Sequence, residues 1–155
     1  MTGTRFTIRE ADPAGAGARA CLAAYYAELA RRFPGGFDVT LSRDPEASAM
    51  RRPRGVFLLA EGPEGPVACV GLKGQGDWAE VKRLWVAPAA RGAGLATRLM
   101  AGVETVAREL GISLLRLDTN TALPEAAALY RKAGWTEIPR FNDDPYAQLF
   151  FEKRL

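Results

Sequence analysis

Ahead of Leu95 the chain runs through Ala87-Pro88-Ala89-Ala90-Arg91-Gly92-Ala93-Gly94, and Ala96 and Thr97 follow. Across residues 91–97 side chains are mostly small or missing, so backbone N–H groups stay open to approach. A glycine-rich turn feeding a helix N-terminus is an anion site, because unpaired amides and the helix dipole both present positive charge. The pattern predicts a pyrophosphate cradle made by the amides of Gly92, Ala93, Gly94, Leu95, Ala96 and Thr97. What else the chain can do is narrowed by an absence: its 155 residues include no histidine. The Ser-His-Asp triad, the Cys-His pair and the usual zinc-hydrolase sites are thereby excluded. Chemistry must rest on carboxylates, tyrosine, lysine, thiol or backbone amides.

The elements that would position this loop are legible in order. Residues 5–10 alternate as a half-buried strand. Leu22, Tyr25, Tyr26 and Leu29 recur at helical spacing, predicting an amphipathic helix over 18–33 that stops before Pro34-Gly35-Gly36. Residues 37–54 lack periodicity and read as a loop, with one helical turn over 46–50. The apolar runs 55–60 and 66–72, joined by Glu61-Gly62-Pro63-Glu64-Gly65, read as a hairpin, and strand 78–86 completes an antiparallel meander. In that last strand Val81 and Trp85 fall on one face and Leu84 and Val86 on the other, which predicts a bulge or splay near Lys82 and Arg83. Leu95, Leu99, Val103, Val106 and Leu110 mark one face of the helix behind the loop, ended by Gly111. Strand 112–117 must then run parallel to its predecessor, because a helix crosses between them. Pro124 opens a helix carrying Leu129 and Tyr130 to a stop at Gly134. Final strands at 135–138 and 147–152 flank a polar, aromatic-bearing loop, 141–146.

Length allows one domain, residues 1–155, with a sizeable core. Apolar and charged fractions are those of a soluble globular protein. No run is long enough to span a membrane, and residues 1–6 lack the apolar core of a signal peptide, so a cytoplasmic protein with no membrane partner is expected. Cys21 and Cys69, far apart in apolar contexts, read as buried small hydrophobes. A net charge of +3 is too mild to argue for nucleic acid. The basic cluster Arg51-Arg52-Pro53-Arg54 reads as a solvated loop, the alternative being a phosphate contact.

A glycine loop alone is weak, since a tight turn that packs a helix on a sheet gives the same pattern. A dinucleotide fold, with Asp118 as its ribose carboxylate, is disfavoured: Thr97 stands where the third glycine belongs, the loop is long, and a hairpin meander precedes it. No Gly-Lys-Ser/Thr closes the turn, which removes the Walker-type loop. Arg91-x-x-Gly94-x-Ala96, preceded by Leu84-Trp85-Val86-x-Pro88 and followed by a helix, resembles the acetyl-CoA motif of the GNAT N-acetyltransferase superfamily. Leu129-Tyr130-Arg131-Lys132-Ala133-Gly134-Trp135 resembles its second signature, and the element order is similar over nearly the whole chain. The family often has an asparagine seven residues before the tyrosine; here that position is Leu123, and Asn120 is the candidate for its place at the cofactor.

This resemblance implies an α/β (mixed α+β) fold, with a central, mostly antiparallel sheet, a splayed parallel strand pair and helices on both faces. It implies acetyl-CoA as co-substrate, no metal, and a primary amine as acceptor, a small-molecule or amino-acid-like one. Arg91 and the amides of residues 92–97 would hold the pyrophosphate, and the backbone of Leu84, Trp85 and Val86 the pantetheine arm, one amide polarising the thioester carbonyl. Glu80, in phase with Leu84 and Val86, is the candidate base, acting through water or raised in pKa by burial. Tyr130 is the candidate acid toward the CoA thiolate. Cys69 has no histidine to activate it, which favours direct transfer. Phe33, Phe37, Trp78, Phe141, Asn142 and Tyr146 are candidate acceptor contacts, with packing as the alternative for each. Exposed aromatics on the terminal strands would suit a homodimer. Two rival readings stand beside the enzyme: a non-enzymatic acyl-CoA sensor module and a dinucleotide-binding enzyme.

Overall fold

The structure is a computed structural model that describes residues 5–41 and 49–155. The helical turn expected over 46–50 lies outside the described residues except for Ala49 and Met50. In chain order the elements are β1 (Thr7–Glu10), α1 (Ala16–Arg32), a 3₁₀ turn (Val39–Leu41), β2 (Val56–Gly62), β3 (Gly65–Gly74) and β4 (Trp78–Val86). There follow a second 3₁₀ turn (Pro88–Ala90), α2 (Leu95–Glu109), β5 (Leu114–Thr119), α3 (Pro124–Lys132), β6 (Thr136–Ile138) and β7 (Leu149–Arg154). The strands form one sheet in the order β1-β2-β3-β4-β5-β7-β6. Neighbours are antiparallel except β4 and β5, which α2 joins as a crossover. The expected mixed, mostly antiparallel sheet with one parallel pair is what the chain forms.

Strand alternation divides the core. Val56, Leu58, Ala68, Val70 and Leu72 face Leu95, Leu99 and Val103 of α2, whereas Phe57, Leu59 and Cys69 face Ala18, Cys21 and Leu22 of α1. The exits of α2 and α3 are fixed by glycine. Gly111 (φ +78) and Gly134 (φ +91) adopt the left-handed conformation that closes a helix. Beyond them the amides of Ile112 and Trp135 reach back to the carbonyls of Ala107 and Tyr130, at 2.8 and 3.0 Å. The second of these caps folds Trp135 against the Tyr130 ring, 6.0 Å between centroids.

β4 carries the bulge expected near Lys82 and Arg83. Its pairing with β3 shifts between Gly71↔Lys82 and Cys69↔Trp85, and Arg83 is the one non-glycine residue among those described with a positive φ, 60°. The extra residue reverses the alternation. Val81 lies in the main core with Leu84 and Val86 packed on the same cluster, while Trp85 packs on the α1 side. Glu80 is therefore out of phase with Leu84 and Val86, which corrects the in-phase reading from sequence. β5 also lies two residues later than its apolar run suggested, which brings Asp118 into the strand. The basic cluster makes ion pairs: Arg51 to Asp12 and Arg52 to Glu10 and Glu109, each at 2.7 Å. Trp135, Phe150 and Phe151 are buried within the single chain, which removes the exposed aromatics from which a homodimer was argued. Among the described residues no helix is long and apolar enough to cross a membrane.

The β2–β3 approach admits no side chain at Gly55, where a Cβ would overlap the Leu72 carbonyl oxygen, backbone that no rotamer change can move. Gly55→Ala is expected to cost about 2 kcal/mol or more, read as a lower urea midpoint at unchanged slope; a wild-type midpoint would show slack between these strands.

Candidate active site

β4 and β5 share three registered pairs, Trp78↔Leu114, Ala79↔Leu115 and Glu80↔Arg116, and none beyond. β4 then stays with β3 as far as Val86, and β5 with β7 as far as Thr119. The strands diverge, and two connected hollows occupy the wedge.

The larger, about 370 Å³, runs from Leu84, Trp85 and Val86 to Arg91, Gly92, Gly94 and Thr97, with Leu129 of α3 opposite. Gly92 (φ +88) and Gly94 (φ +75) hold the loop in the left-handed region. Among the described residues, no backbone or side-chain acceptor takes the amides of residues 92–97, and the first such bond on this helix is Arg98 N–H to Gly94 O, 3.1 Å. A Cβ built on either glycine meets nothing within 4 Å. This is an open row of donors at a helix N-terminus, suited to a phosphate-bearing ligand. Across the mouth, α1 forms a clasp that the sequence reading did not find. The Glu28 carboxylate accepts from Arg91 at 2.7 Å, Trp85 Nε1 at 3.1 Å and Arg32 at 3.2 Å. Arg32 in turn bonds Glu125 and the Ala122 carbonyl at the start of α3. Burial pushes the Glu28 carboxyl up, but its three donors outweigh burial and hold it below the ordinary glutamate value. Arg91 also donates to Val86 O at 2.9 Å.

The smaller hollow, about 100 Å³, is lined by Tyr26, Phe33, Phe37, Lys82, Arg83, Asp118, Tyr130 and Tyr146. Leu84, Leu123, Ala126, Tyr25 and Leu29 border both hollows, so the two meet at the splay. Of the sequence-derived candidates, Phe33, Phe37, Tyr146 and Tyr130 come together here, with Phe37 and Tyr146 at 4.7 Å between centroids. Burial, with the Asp118 charge adding, pushes the Tyr130 hydroxyl well above the ordinary tyrosine range. Asn120 is engaged within the protein, its Nδ2 donating to Tyr146 O at 2.9 Å and its Oδ1 accepting from Ala122 N–H at 2.8 Å. It lines the smaller hollow, not the glycine-loop cleft. Trp78 and Phe141 pack edge-on under Arg116 at the paired end of the strands and line neither hollow. Asn142 donates to Asp118 Oδ2 at 2.7 Å. Glu80 is 1% exposed and sits below the splay: Gln75 Nε2 donates to its Oε1 at 3.1 Å, and Lys82 Nζ lies 3.7 Å from its Oε2. Cys69 is buried beneath the bulge, donating to Arg83 O at 3.3 Å; contact with Cys21 and burial push its thiol well up. Among the described residues no cluster of His, Cys, Asp or Glu is built to hold a metal.

The pattern of the Acetyltransferase (GNAT) family matches residues 22–135, more than half of the chain. The chain belongs to this family. It is an acyltransferase of the GNAT N-acetyltransferase superfamily, which sets aside both the dinucleotide fold and the non-enzymatic module. The GNAT chain is 38% identical over 104 residues to an IAA acetyltransferase of Azospirillum brasilense, covering 64% of this chain and 67% of that protein. A putative acyl-CoA N-acyltransferase from Klebsiella pneumoniae superposes with a TM-score of 0.78 at 27% identity, covering 97% of each chain. A GNAT acetyltransferase from Staphylococcus aureus shares the fold at a TM-score of 0.82 and 19% identity, over 97% of this chain and 99% of that one.

Asp118 is a titratable group at this GNAT site that sequence reasoning placed in no catalytic role, although the alternation of Leu115 and Leu117 sets it on the face opposite the core. Burial pushes its carboxyl above the ordinary aspartate value, with Lys82 and the Asn142 amide pulling the other way. A carboxyl raised on folding penalises the folded state above its folded pKa and not below its unfolded one. Asp118→Asn should therefore raise the melting temperature at neutral pH, and the gain should vanish as pH falls to the ordinary aspartate range. A loss of stability at pH 7 would show that the ionised group is compensated in place.

Proposed function

We propose that this protein transfers an acetyl group from acetyl-CoA to the primary amine of a small-molecule or amino-acid-like acceptor by direct attack. The observation that carries the reading is the row of unpartnered amides at residues 92–97, opening on a cleft that meets a second hollow at the splay. Family membership and the match to a putative acyl-CoA N-acyltransferase support it. Residues 92–97 and Arg91 would hold the diphosphate of CoA, and the outer backbone edge at Leu84, Trp85 and Val86 its pantetheine arm. Acetyl-CoA supplies the activated acyl group. An alkylammonium with a pKa near ~10 must shed a proton before it attacks. Glu80 keeps its place on that proton path, reached from the hollow through Lys82 or a water rather than directly. Tyr130 stays protonated at working pH and donates toward the departing thiolate.

In thermal shift, CoA at concentrations well above its Kd should stabilise the protein while NAD and ATP leave it unmoved. Thiol release from acetyl-CoA with an amine panel then tests turnover; tight CoA binding with no amine acetylated would reject amine acetylation. Tyr130→Phe should lower kcat by about 10- to 100-fold while acetyl-CoA affinity stays within about twofold. An unchanged kcat would remove Tyr130 from the chemistry.

A further inference from the structure

Glu80 does not itself meet an acceptor nitrogen. It lines neither hollow, its Oε1 accepts from Gln75, and its Oε2 faces Lys82 at 3.7 Å. The carboxylates that line the smaller hollow are Asp118 and Asp144. Asp144 serves its own loop, accepting from Tyr146 N–H at 2.8 Å. Asp118 is held differently. Its Oδ2 accepts from Asn142 Nδ2 at 2.7 Å, and Asn142 Oδ1 in turn accepts from Asp144 N–H at 3.0 Å. The second bond decides which end of the Asn142 amide faces Asp118. One carboxylate oxygen is thus anchored by a tethered donor, while Oδ1 takes no donor among the described residues of a side chain that lines the cavity. A base oriented by a third group, with one basic atom open, is the arrangement that proton abstraction needs.

The charges around Asp118 are engaged elsewhere. Lys82 pairs with Glu80 and acts on Asp118 only through its field. Arg83 donates to Tyr26 Oη at 2.8 Å and lies on Met50 Sδ at 3.9 Å. Arg140 donates to the carbonyls of Asn142, Asp144 and Ala147. Tyr25 and Tyr130 are neutral, their hydroxyls pushed well up by burial, and Asp144 and Glu80 add negative charge. An ammonium entering here meets a carboxylate that makes no ion pair among the described residues. Burial then acts on both groups in the sense that favours transfer, raising a carboxyl and lowering an ammonium. Asp118 is already displaced upward for that reason. Moving one proton between them leaves two neutral groups in a cavity walled by Phe33, Phe37 and Tyr146.

From this geometry we propose that Asp118 is the catalytic base: the acceptor's ammonium seats on its Oδ1 and gives up a proton there. The inference rests on the acetyltransferase reading above. Asp118 takes one proton from the ammonium and becomes a carboxylic acid. The freed nitrogen lone pair forms the C–N bond to the thioester carbonyl carbon, and the C–S bond breaks with its electron pair going to sulfur. Tyr130, which lines the same hollow and feels the Asp118 charge, gives its hydroxyl proton to that sulfur and takes a second proton from the nitrogen. The products are CoA thiol and the N-acetyl amide, and Asp118 returns its proton to solvent. Asp118 is the first group on the proton path, and Glu80 stands behind it beyond Lys82.

The test uses thiol release from acetyl-CoA, with the fastest acceptor of a panel headed by phenethylamine, isoamylamine, phenylalanine and leucine. Asp118→Asn should lower kcat/KM by about 100-fold or more, with the melting temperature no lower than wild type and the thermal shift given by CoA unchanged. Asp118→Ala should lose as much, and sodium formate, compared with sodium chloride at equal ionic strength, should restore at least about tenfold of that loss by supplying a carboxylate where the side chain was removed. A residue that merely shaped the cavity would give a loss that formate leaves untouched. An Asp118→Asn enzyme of wild-type rate overturns the assignment, as does an Asp118→Ala enzyme that does not respond to formate. Both results leave the acetyltransferase reading standing, because the wild-type rate is their baseline. A wild-type enzyme that binds acetyl-CoA and acetylates no amine of the panel overturns the two together.

Discussion

Beyond Glu80 and Arg116, β4 and β5 stop sharing hydrogen bonds, and both hollows of this domain exist because of that divergence. An unzipped strand pair would ordinarily be a liability, since each free edge carries unsatisfied amides and carbonyls. Here the bulge at Arg83 keeps β4 on β3 while turning its outer edge away from β5, and β7 holds β5 on its other side through Thr119↔Leu149. The Cys69 thiol, buried under the bulge and donating to the Arg83 carbonyl, is one of the contacts that fix this local backbone. The backbone polar groups left over on β4 are thus confined to the stretch that an extended ligand arm can satisfy.

The chemistry of the smaller hollow follows from the same geometry. Where the strands are paired, the charged side chains on this face neutralise one another: Gln75 and Lys82 engage Glu80, and Glu152 engages Arg116 at 3.3 Å. Past the last pair with β4, the register partner of Asp118 is the uncharged Phe150 of β7. Asp118 feels the Lys82 charge and receives an amide donor from the 141–146 loop, and burial prevails over both. Tyr130 is held beside it by an interaction of another kind. The cap at Gly134 folds Trp135 against the tyrosine ring, and Phe151 of β7 packs at 5.9 Å from it. A buried ring locked by two aromatic neighbours has little rotational freedom, so its hydroxyl is pre-positioned at the cavity.

What the sequence disclosed and what it withheld divide along a physical line. The glycine loop, α2, α3 and their glycine stops are encoded by neighbouring residues, and each reads correctly from spacing alone. The hairpin and the parallel crossover follow from topology. The phase of β4 does not, because arginine carries no local preference for positive φ and the bulge is fixed by contacts to Cys69, Tyr26 and Met50, distant in sequence. Glu80 was accordingly read in phase with Leu84 when the bulge sets it on the opposite face. Trp78 and Phe141 look like pocket aromatics by composition, yet they stack around Arg116 where the strands are still paired. Asn120 looks like a cofactor contact because it lies near Leu123, but its Oδ1 accepts within the turn into α3 and its Nδ2 ties that turn to the Tyr146 carbonyl.

The clasp from α1 shows how the glycine-loop cleft keeps its shape with so little secondary structure around it. Residues 91–94 have few side chains with which to pack, and an unsupported loop of this kind would sample many conformations. Glu28 gathers Trp85, Arg91 and Arg32 onto one carboxylate, and Arg32 extends the connection to Glu125 and Ala122 at the far wall. Three donors on one carboxylate form a network that ties the loop, β4 and α1 together. The glycines are free to present bare amides because rigidity is supplied from outside the loop, by an arginine at its entry and the α1 carboxylate that holds it.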